Sequence, residues 1–265
     1  MPELPEVESL RLELHERAVG ERVTLTEVYL PRIIRAGDLS DLQGRTIKST
    51  GRRGKYLWFE LDDGAALFAH MGMTGTLLCL EHNAPLPSHT RARIALESGQ
   101  IVYRDARTLG GLWVSRPESP PWKKLGWDPL NDKIKAGAVY RLLQRRSAPI
   151  KLALLDQAVI AGIGNIYACE ALFQAGIDPR RPAHSLSRPK VRKLVDCIID
   201  RLQAALASKG TTFRDFRLSD GREGEFAQFL KVYGKTDKPC SVCSKPIQRI
   251  IQAGRSTFFC PRCQK

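Results

Sequence analysis

Four cysteines near the C-terminal end constrain the fold more than any other feature of this sequence. They form two Cys-x-x-Cys units separated by sixteen residues, namely Cys240 with Cys243 and Cys260 with Cys263. This spacing is typical of a structural zinc site with four thiolate ligands; a pair of disulfides is the alternative. Apolar and polar residues alternate on both sides of Ala253-Gly254. We therefore predict that one zinc ion closes a β-hairpin, with Arg255 beside its turn.

The charge balance indicates a polyanionic partner. The 265 residues include 42 Lys and Arg against 28 Asp and Glu, which gives a net charge of +14. The basic residues are spread along the chain, so we expect a basic face on a folded protein and not a charged tail. Because no helix is predicted between the cysteine pairs, the zinc hairpin would hold Arg255 towards a phosphate without reading bases.

The cellular compartment is suggested by two kinds of segment that the sequence lacks. It contains neither an apolar run of about 18 residues, as a membrane span needs, nor a charged-then-apolar leader. We expect a soluble, cytosolic protein without membrane contact. The remaining cysteines, Cys79, Cys169 and Cys197, are scattered as buried thiols are.

Apolar periodicity changes along the chain and divides it into regions. Residues 4–18 carry leucines and a valine at helical spacing, and residues 23–114 contain short apolar runs separated by turn residues. Several short strands at this spacing predict a β-sandwich or barrel. Prolines and tryptophans at 117–129 indicate a connector, and residues 137–206 have a helical pattern. The predicted fold class is α+β, with domains 1–130, 131–225 and 226–265.

One segment of the helical region, 161–166, is too short and too rich in glycine to be another helix. Gly162 and Gly164 would let backbone N–H groups approach a ligand, and the following helix N-terminus favours an anion. A plain turn between helices explains the segment as well. In a strongly basic chain, a DNA phosphate becomes the better candidate.

The first residues offer a nucleophile at the end of the chain. If Met1 is removed, Pro2 becomes a secondary amine with a pKa of about 8, and part of it is unprotonated near neutral pH. Such an amine attacks an aldehyde-level carbon to form an iminium, and Glu3 could protonate the departing oxygen. The alternative is structural, since proline and glutamate are common in the first turn of any helix.

Read together, seven motifs resemble the formamidopyrimidine-DNA glycosylase family, and they span essentially the whole chain in the right order. They are PELPEVE at the amino end, Gly54-Lys55-Tyr56-Leu57, His70-Met71-Gly72-Met73-Thr74-Gly75, Gly162-Ile163-Gly164-Asn165-Ile166-Tyr167, Ser219-Asp220-Gly221, Val232-Tyr233-Gly234 and the four-cysteine hairpin.

This resemblance implies a bifunctional enzyme of base excision repair. It would excise 8-oxoguanine and formamidopyrimidines and cut the strand by β,δ-elimination. The implied architecture is an N-terminal β-sandwich, a helix-two-turn-helix region and a zinc finger, with DNA between the halves. The implied partner is double-stranded DNA with oxidised bases or abasic sites, bound by a monomer in the bacterial cytoplasm at the nucleoid.

The resemblance also implies roles for individual residues. Pro2 is then the Schiff-base nucleophile at C1′ and Glu3 the proton donor to the opening sugar, while Lys55 and Arg255 serve the β- and δ-elimination steps. The implied DNA contacts are His89, Arg107 at the opposite cytosine, Arg146, Asn165 on a phosphate, and Met73 in the gap left by the flipped base. Without the resemblance, Lys55, Arg146 and Arg255 read as solvated charges and Met73 as a core residue.

The chain departs from the family pattern in two places. Where the family usually has Asp-Pro-Arg-Arg-Phe-Gly, this chain has Asp105-Ala106-Arg107-Thr108-Leu109-Gly110. Leu109 thus stands at the position of an aromatic wedge, and it cannot stack on a base. The segment Gly224-Glu225-Phe226 lacks the aromatic residue that the lesion-capping loop commonly has at its middle position. The first departure bears on the opposite-base preference and on the efficiency of the search for lesions.

Two other functions stay open. One is a glycosylase of the endonuclease VIII type for oxidised pyrimidines, which the full-length segment 215–229 disfavours because a purine-capping loop is expected there. The other is a non-catalytic, zinc-stabilised protein that binds damaged DNA. The combination of Pro2, Glu3, Lys55 and Arg255 disfavours it, since a binding protein has no need of all four.

Overall fold

A computed structural model describes residues 1–122, 124–212 and 218–265. Its contacts divide the chain into two compact units, Met1–Lys123 with Ser208–Ala227, and Lys124–Ala207 with Gln228–Lys265. The division of the chain into three domains, 1–130, 131–225 and 226–265, stays a prediction. Among the helices in the described ranges, none combines the length and apolar character that crossing a bilayer requires.

In the described part of the first unit, one α-helix precedes nine strands. They are α1 Leu4–Ala18, β1 Val23–Val28, β2 Ile34–Ala36, β3 Ile47–Arg53, β4 Tyr56–Leu61, β5 Ala66–His70, β6 Gly75–Glu81, β7 Thr90–Leu96, β8 Gly99–Asp105 and β9 Gly111–Ser115. Two short 3-10 helices, Pro31–Ile33 and Leu39–Leu42, flank β2.

The strands form two sheets that share one core. The first sheet has the order β1-β7-β8-β6, and the second has the order β2-β9-β5-β4-β3, in which β2 and β9 run parallel. Leu77 and Ile94 of the first sheet and Leu57 and Leu67 of the second belong to the same buried cluster, which Leu10 of α1 joins. The predicted β-sandwich with an N-terminal helix is confirmed.

Helix α1 has the predicted bounds. Leu4, Val7, Leu10 and Leu14 are fully buried, as the spacing of three and four residues requires for one face of a helix. Leu12 is 44% exposed, because it lies two residues away from that row. The buried face holds the helix on the sandwich and thereby positions the chain terminus that precedes it.

The second unit combines four helices and a hairpin among its described residues. They are α2 Ala136–Leu143, α3 Ile150–Leu155, α4 Asn165–Ala175, α5 Arg188–Ala207, β10 Gln248–Gln252 and β11 Arg255–Phe259. A 3-10 turn lies at Ala183–Ser185, and another, Phe226–Phe229, spans the boundary between the units. Gly164 caps the start of α4, and Gly176 ends it with a left-handed φ of 73°. The helical region and the C-terminal hairpin complete the predicted α+β class.

Candidate active site

The chain terminus is buried against the first turn of α1. Pro2 is buried and Glu3 is 2% exposed, whereas Met1 is 49% exposed. Glu6 lies one turn further and is itself 1% exposed; its Oε2 accepts the backbone N–H of Glu3 at 2.8 Å, and its Oε1 accepts the N–H of Thr211 at 2.7 Å. A buried carboxylate thus fixes the backbone next to Pro2.

Lys55 lies at the tight turn between β3 and β4, where Gly54 has a left-handed φ of 58°. Lys55 is 7% exposed, so it is not the solvated charge of the structural alternative. The turn is held by buried Arg52, which donates to the carbonyl of Gly54 at 3.1 Å and to Glu8 at 2.7 Å. Burial would raise the pKa of Glu8, but hydrogen bonds and charge from Arg11 and Arg52 outweigh burial and lower it.

The sequence predicted no role for His70, although His70 is the first residue of the motif His70-Met71-Gly72-Met73-Thr74-Gly75. Burial and the charge of Lys55 lower the pKa of His70 to about 4, so the imidazole is neutral at pH 7. Its Nδ1 accepts the N–H of Gly72 at 3.1 Å, which leaves the ring proton on Nε2. Tyr56 lies beside it, with ring centroids 4.8 Å apart. The structure thus sets a neutral hydrogen-bond donor beside Lys55.

Two loops of the first unit are joined through the carboxylate of Asp105, which is fully buried. Thr74 donates its hydroxyl to Oδ1 at 2.6 Å, and the N–H of Gly110 donates to Oδ2 at 2.9 Å. The backbone N–H of Arg107 donates to the hydroxyl oxygen of Thr74 at 3.0 Å. The loop that carries Arg107 and Leu109 is therefore braced against the loop that carries Met73.

Apolar side chains project from both loops. Met73 is 40% exposed, which excludes the core-residue reading, and Leu109 is 52% exposed. Exposed His89 joins the same region, because its carbonyl accepts the N–H of Asp105 at 3.1 Å. The structure thus brings Met73, His89, Arg107 and Leu109 together around Asp105.

In the second unit, Asn165 and Arg255 are linked through the hairpin. Asn165 is the first residue of α4, and its Nδ2 donates to the carbonyl of Ser256 at 2.8 Å. Its Oδ1 is buried without a hydrogen-bond partner among the described residues. Arg255 is the neighbour of Ser256 and is exposed at the start of β11. The start of α4 therefore positions the strand that presents Arg255.

Lys151 strengthens this link, and the sequence reasoning missed it. The side chain is fully buried, and its Nζ donates to the carbonyl of Ser256 at 3.1 Å and to the hydroxyl of Thr257 at 2.6 Å. The available signal was a lone lysine inside the apolar segment that forms α3. Arg146 lies nearby in sequence and pairs with Asp156 at 2.7 Å, so it is not an unpaired solvated charge.

The hairpin closes over a cluster of four cysteines. Their sulfur atoms all lie within 4.8 Å of one another, and the Sγ atoms of Cys243 and Cys260 are 3.4 Å apart, too far for a disulfide. Backbone N–H groups of Val242 and Cys263 point at sulfur atoms, each at 3.5 Å, which favours the thiolate form. Four thiolates at this separation fit one tetrahedral zinc ion.

Models of known families match most of the chain. Residues 1–112 match the formamidopyrimidine-DNA glycosylase N-terminal domain, residues 125–217 its H2TH domain, and residues 237–265 the zinc finger found in FPG and IleRS. The chain belongs to the formamidopyrimidine-DNA glycosylase family. The predicted zinc ion agrees with this membership.

Two bacterial formamidopyrimidine-DNA glycosylases illustrate the similarity. The one from Desulfitobacterium hafniense is 40% identical over 272 residues, with all of both chains covered. The one from Heliobacterium modesticaldum is 43% identical over 277 residues, also with full coverage. The sequence similarity therefore extends over the full length of this chain and of both relatives.

Solved structures agree with the fold. A mutant of Lactococcus lactis FPG in complex with Fapy-dG-containing DNA has a TM-score of 0.94 at 36% identity, covering 100% of each chain. A Lactococcus lactis Fpg complex with abasic-site DNA has a TM-score of 0.93 at 36% identity, covering 99% of each chain. Formamidopyrimidine-DNA glycosylases of the same fold thus hold both kinds of damaged DNA.

The predicted lesion-capping segment 215–229 is described in part, since residues 213–217 lie outside the described ranges. Ser219 is fully buried and donates its N–H and its hydroxyl to Glu13 of α1, at 2.9 and 2.7 Å. The N–H of Glu225 donates to the carbonyl of Ser208 at 3.0 Å. Ser219 and Glu225 of this segment are thus both anchored within the first unit.

Proposed function

We propose that this chain is a bifunctional DNA glycosylase and abasic-site lyase that excises 8-oxoguanine and formamidopyrimidines. The observation that carries the proposal is the buried Pro2-Glu3 terminus, held by Glu6 in a chain whose full length matches formamidopyrimidine-DNA glycosylases. A Lactococcus relative of the same fold holds Fapy-dG-containing DNA, which supports the oxidised-purine substrate.

Base excision begins at the terminus. Removal of Met1 converts the amide nitrogen of Pro2 into a secondary amine, part of which is unprotonated near neutral pH. The amine attacks C1′ and the glycosidic electron pair leaves with the base; nitrogen then loses its proton and the C1′–O4′ bond breaks to give an iminium. Glu3 supplies the proton that the ring oxygen takes up as the sugar opens.

Strand cleavage follows from the iminium, which makes the C2′ protons acidic. Loss of one C2′ proton expels the 3′ phosphate, and a second elimination expels the 5′ phosphate. Lys55 serves the first step, since the residue is largely buried and follows a turn that Arg52 holds in place. Arg255 serves the second, and its exposed position at the start of β11 suits contact with a phosphate.

DNA contacts are assigned to residues of both units. A base must leave the duplex before C1′ is reached, at a cost of a few kcal/mol. Met73 and Leu109 fill the vacated space, and Arg107 and His89 face the neighbouring DNA. Asn165 and Arg146 bind the backbone, Asn165 through the second N–H of its Nδ2, since the first donates to the Ser256 carbonyl.

The protein works as a monomer in the bacterial cytoplasm, at the nucleoid and without membrane contact. A single chain carries all the proposed catalytic groups, its damaged-DNA substrate is found in that compartment, and the four zinc-binding thiols need reducing conditions.

Borohydride trapping tests the proposal. The processed protein is incubated with duplexes that carry 8-oxoguanine, an oxidised pyrimidine or an abasic site, and borohydride reduces any iminium to a stable adduct. We expect adducts with 8-oxoguanine and abasic DNA. A dominant adduct with the oxidised pyrimidine would indicate the endonuclease VIII type. Tight binding without any adduct would indicate a non-catalytic protein, and either result would overturn the proposal.

A further inference from the structure

Two arginines from the β1–β2 region contact the loop of residues 105–110. The Nη2 of Arg32, in the 3-10 helix Pro31–Ile33, donates to the hydroxyl of Thr108 at 3.0 Å. The Nη2 of Arg35, in β2, donates to the carbonyl of Gly110 at 3.2 Å. Both arginines are exposed, and Arg107 lies in the loop itself. These three residues form the arginine cluster.

The arginine cluster forms no ion pair among the described residues. No carboxylate among the described residues lies within ion-pair distance of Arg32, Arg35 or Arg107, whereas Arg45 and Arg93 of the same unit pair with Asp63 and Glu27. Three guanidinium groups at one short loop, one from the loop and two from the β1–β2 region, without an ion-pair partner among the described residues, favour an external anion. A nucleic-acid backbone is such an anion, and it binds with a gain from released counterions.

The positions of these groups are set by the fold. A Cβ added to Gly111 would come within 2.7 Å of the Cγ of Arg35, so the absent side chain at residue 111 makes room for the arginine stem. The loop is braced by the Asp105 carboxylate through Thr74 and Gly110. Preorganised guanidinium groups lose less entropy on binding a phosphate than mobile ones do.

Arg32 also reaches the position at which the chain departs from its family's pattern. Thr108 stands where the family usually has a second arginine, and the short threonine hydroxyl accepts one N–H of the Arg32 guanidinium. A guanidinium has five N–H donors, so this bond occupies one of them. A guanidinium from a different segment therefore contacts the loop at Thr108.

We propose that Arg32 and Arg35 bind backbone phosphates of duplex DNA, next to the base that faces Arg107, and so extend the DNA-contacting surface to the β1–β2 region. The proposal rests on the proposed function in that Arg107 faces the strand opposite the lesion. Thr108 couples the contact to the loop, since it orients the Arg32 guanidinium.

The salt dependence of DNA affinity tests whether Arg32 and Arg35 bind phosphates. The dissociation constant for a duplex with a stable tetrahydrofuran abasic analogue is measured at several salt concentrations, for wild type, Arg32→Gln and Arg35→Gln. Each lost phosphate contact should reduce the slope of log affinity against log salt by about 0.9. The matched control is Arg22→Gln: Arg22 is an exposed arginine of the same unit that donates to the carbonyl of Gly44, and its loss lowers the net charge equally.

Two further variants distinguish a phosphate contact made by Arg32 from a role of Arg32 in holding the 105–110 loop in place. Arg32→Lys keeps the charge and should keep the slope, while Thr108→Val removes the acceptor and should lower affinity by a few-fold at most. Equal slopes for Arg32→Gln and Arg22→Gln would overturn the proposal. If wild type neither binds the duplex nor forms a borohydride adduct, the proposed function fails instead, so the two failures are distinguishable.

Discussion

Pro2 can act as a nucleophile only as a free amine, because the lone pair of an amide nitrogen is delocalised. We expect Pro2→Gly, which keeps a weaker terminal amine, to lose most of the borohydride adduct on abasic DNA. An uncleaved N-terminal tag should abolish the adduct. Mass spectrometry of each preparation verifies whether Met1 has been removed. An unprocessed, tagged protein that forms the adduct at full rate would contradict the assignment of Pro2.

His70 makes the stability of the first unit depend on pH. Its pKa is lowered from 6.5 to about 4, first by burial and then by Lys55. Between these values the unfolded chain binds a proton that the folded protein does not, so stability present above pH 6.5 is lost as pH falls towards 4.

We expect His70→Gln to remove this loss, so that wild type weakens relative to the variant across this pH window. Urea unfolding followed by tryptophan fluorescence measures it, since Trp58, Trp113 and Trp122 belong to the first unit. If the free energy of unfolding varied with pH in the same way for both proteins, His70 would not be protected from protonation.

Leu109 offers an apolar side chain that cannot stack, at the place of the family's phenylalanine. Base–aromatic stacking is worth about 1–3 kcal/mol per base, and about 1.4 kcal/mol is a tenfold change in an equilibrium constant. Leu109 is 52% exposed, so a larger ring fits without repacking the core. Leu109→Phe should therefore raise 8-oxoguanine excision roughly tenfold.

Cleavage of abasic DNA is the control for this substitution, because an abasic site has no base to extrude. Single-turnover rates on the two duplexes should therefore diverge, with a small change on abasic DNA. Rates that rise equally on both, or that fall on 8-oxoguanine, would show that Leu109 belongs to a differently built wedge.

Among the secondary-structure elements, the zinc hairpin depends most on a bound ion. Zinc contributes about 10–16 kcal/mol to the folding of isolated finger peptides, while the sandwich has a core of its own. Chelation or Cys260→Ser should weaken DNA binding and leave the first unit folded. Cys197→Ser, which changes a cysteine of α5 outside the cluster, is the matched control. Unchanged DNA affinity after verified zinc loss would show that the finger does not deliver Arg255.

Secondary-structure elements with a strong apolar or turn pattern were predictable from the sequence, and largely polar elements were not. Helix α1 has the bounds that its apolar spacing indicates, and the hairpin turn at Ala253-Gly254 has positive φ at both residues, as a two-residue loop requires. Strand β3, Ile47–Arg53, has no apolar run that would indicate it, because its sequence IKSTGRR is largely polar. Its strand character comes from pairing with β4 along its length, which no local pattern records.

For the whole molecule, net charge was informative about the partner but not about its binding surface. A charge of +14 indicated a polyanion, while the arrangement of cations depends on which of them pair with carboxylates in the folded chain. Arg146 pairs with Asp156 and Arg52 with Glu8, whereas the arginine cluster has no acidic partner among the described residues. This distinction requires three-dimensional contacts.

Local chemistry was sufficient for the zinc ligands, the N-terminal motif and the order of the regions, because each depends on residues close together in the chain. The brace through Asp105, the Lys151 and Asn165 contacts to Ser256, and the Glu6 contact to Thr211 join residues 31 to 205 positions apart. Such contacts form only when packing brings distant segments together, so a hydrogen bond of this kind leaves no periodic signal in a single sequence. The residues that orient the proposed catalytic groups were therefore visible only in the folded protein.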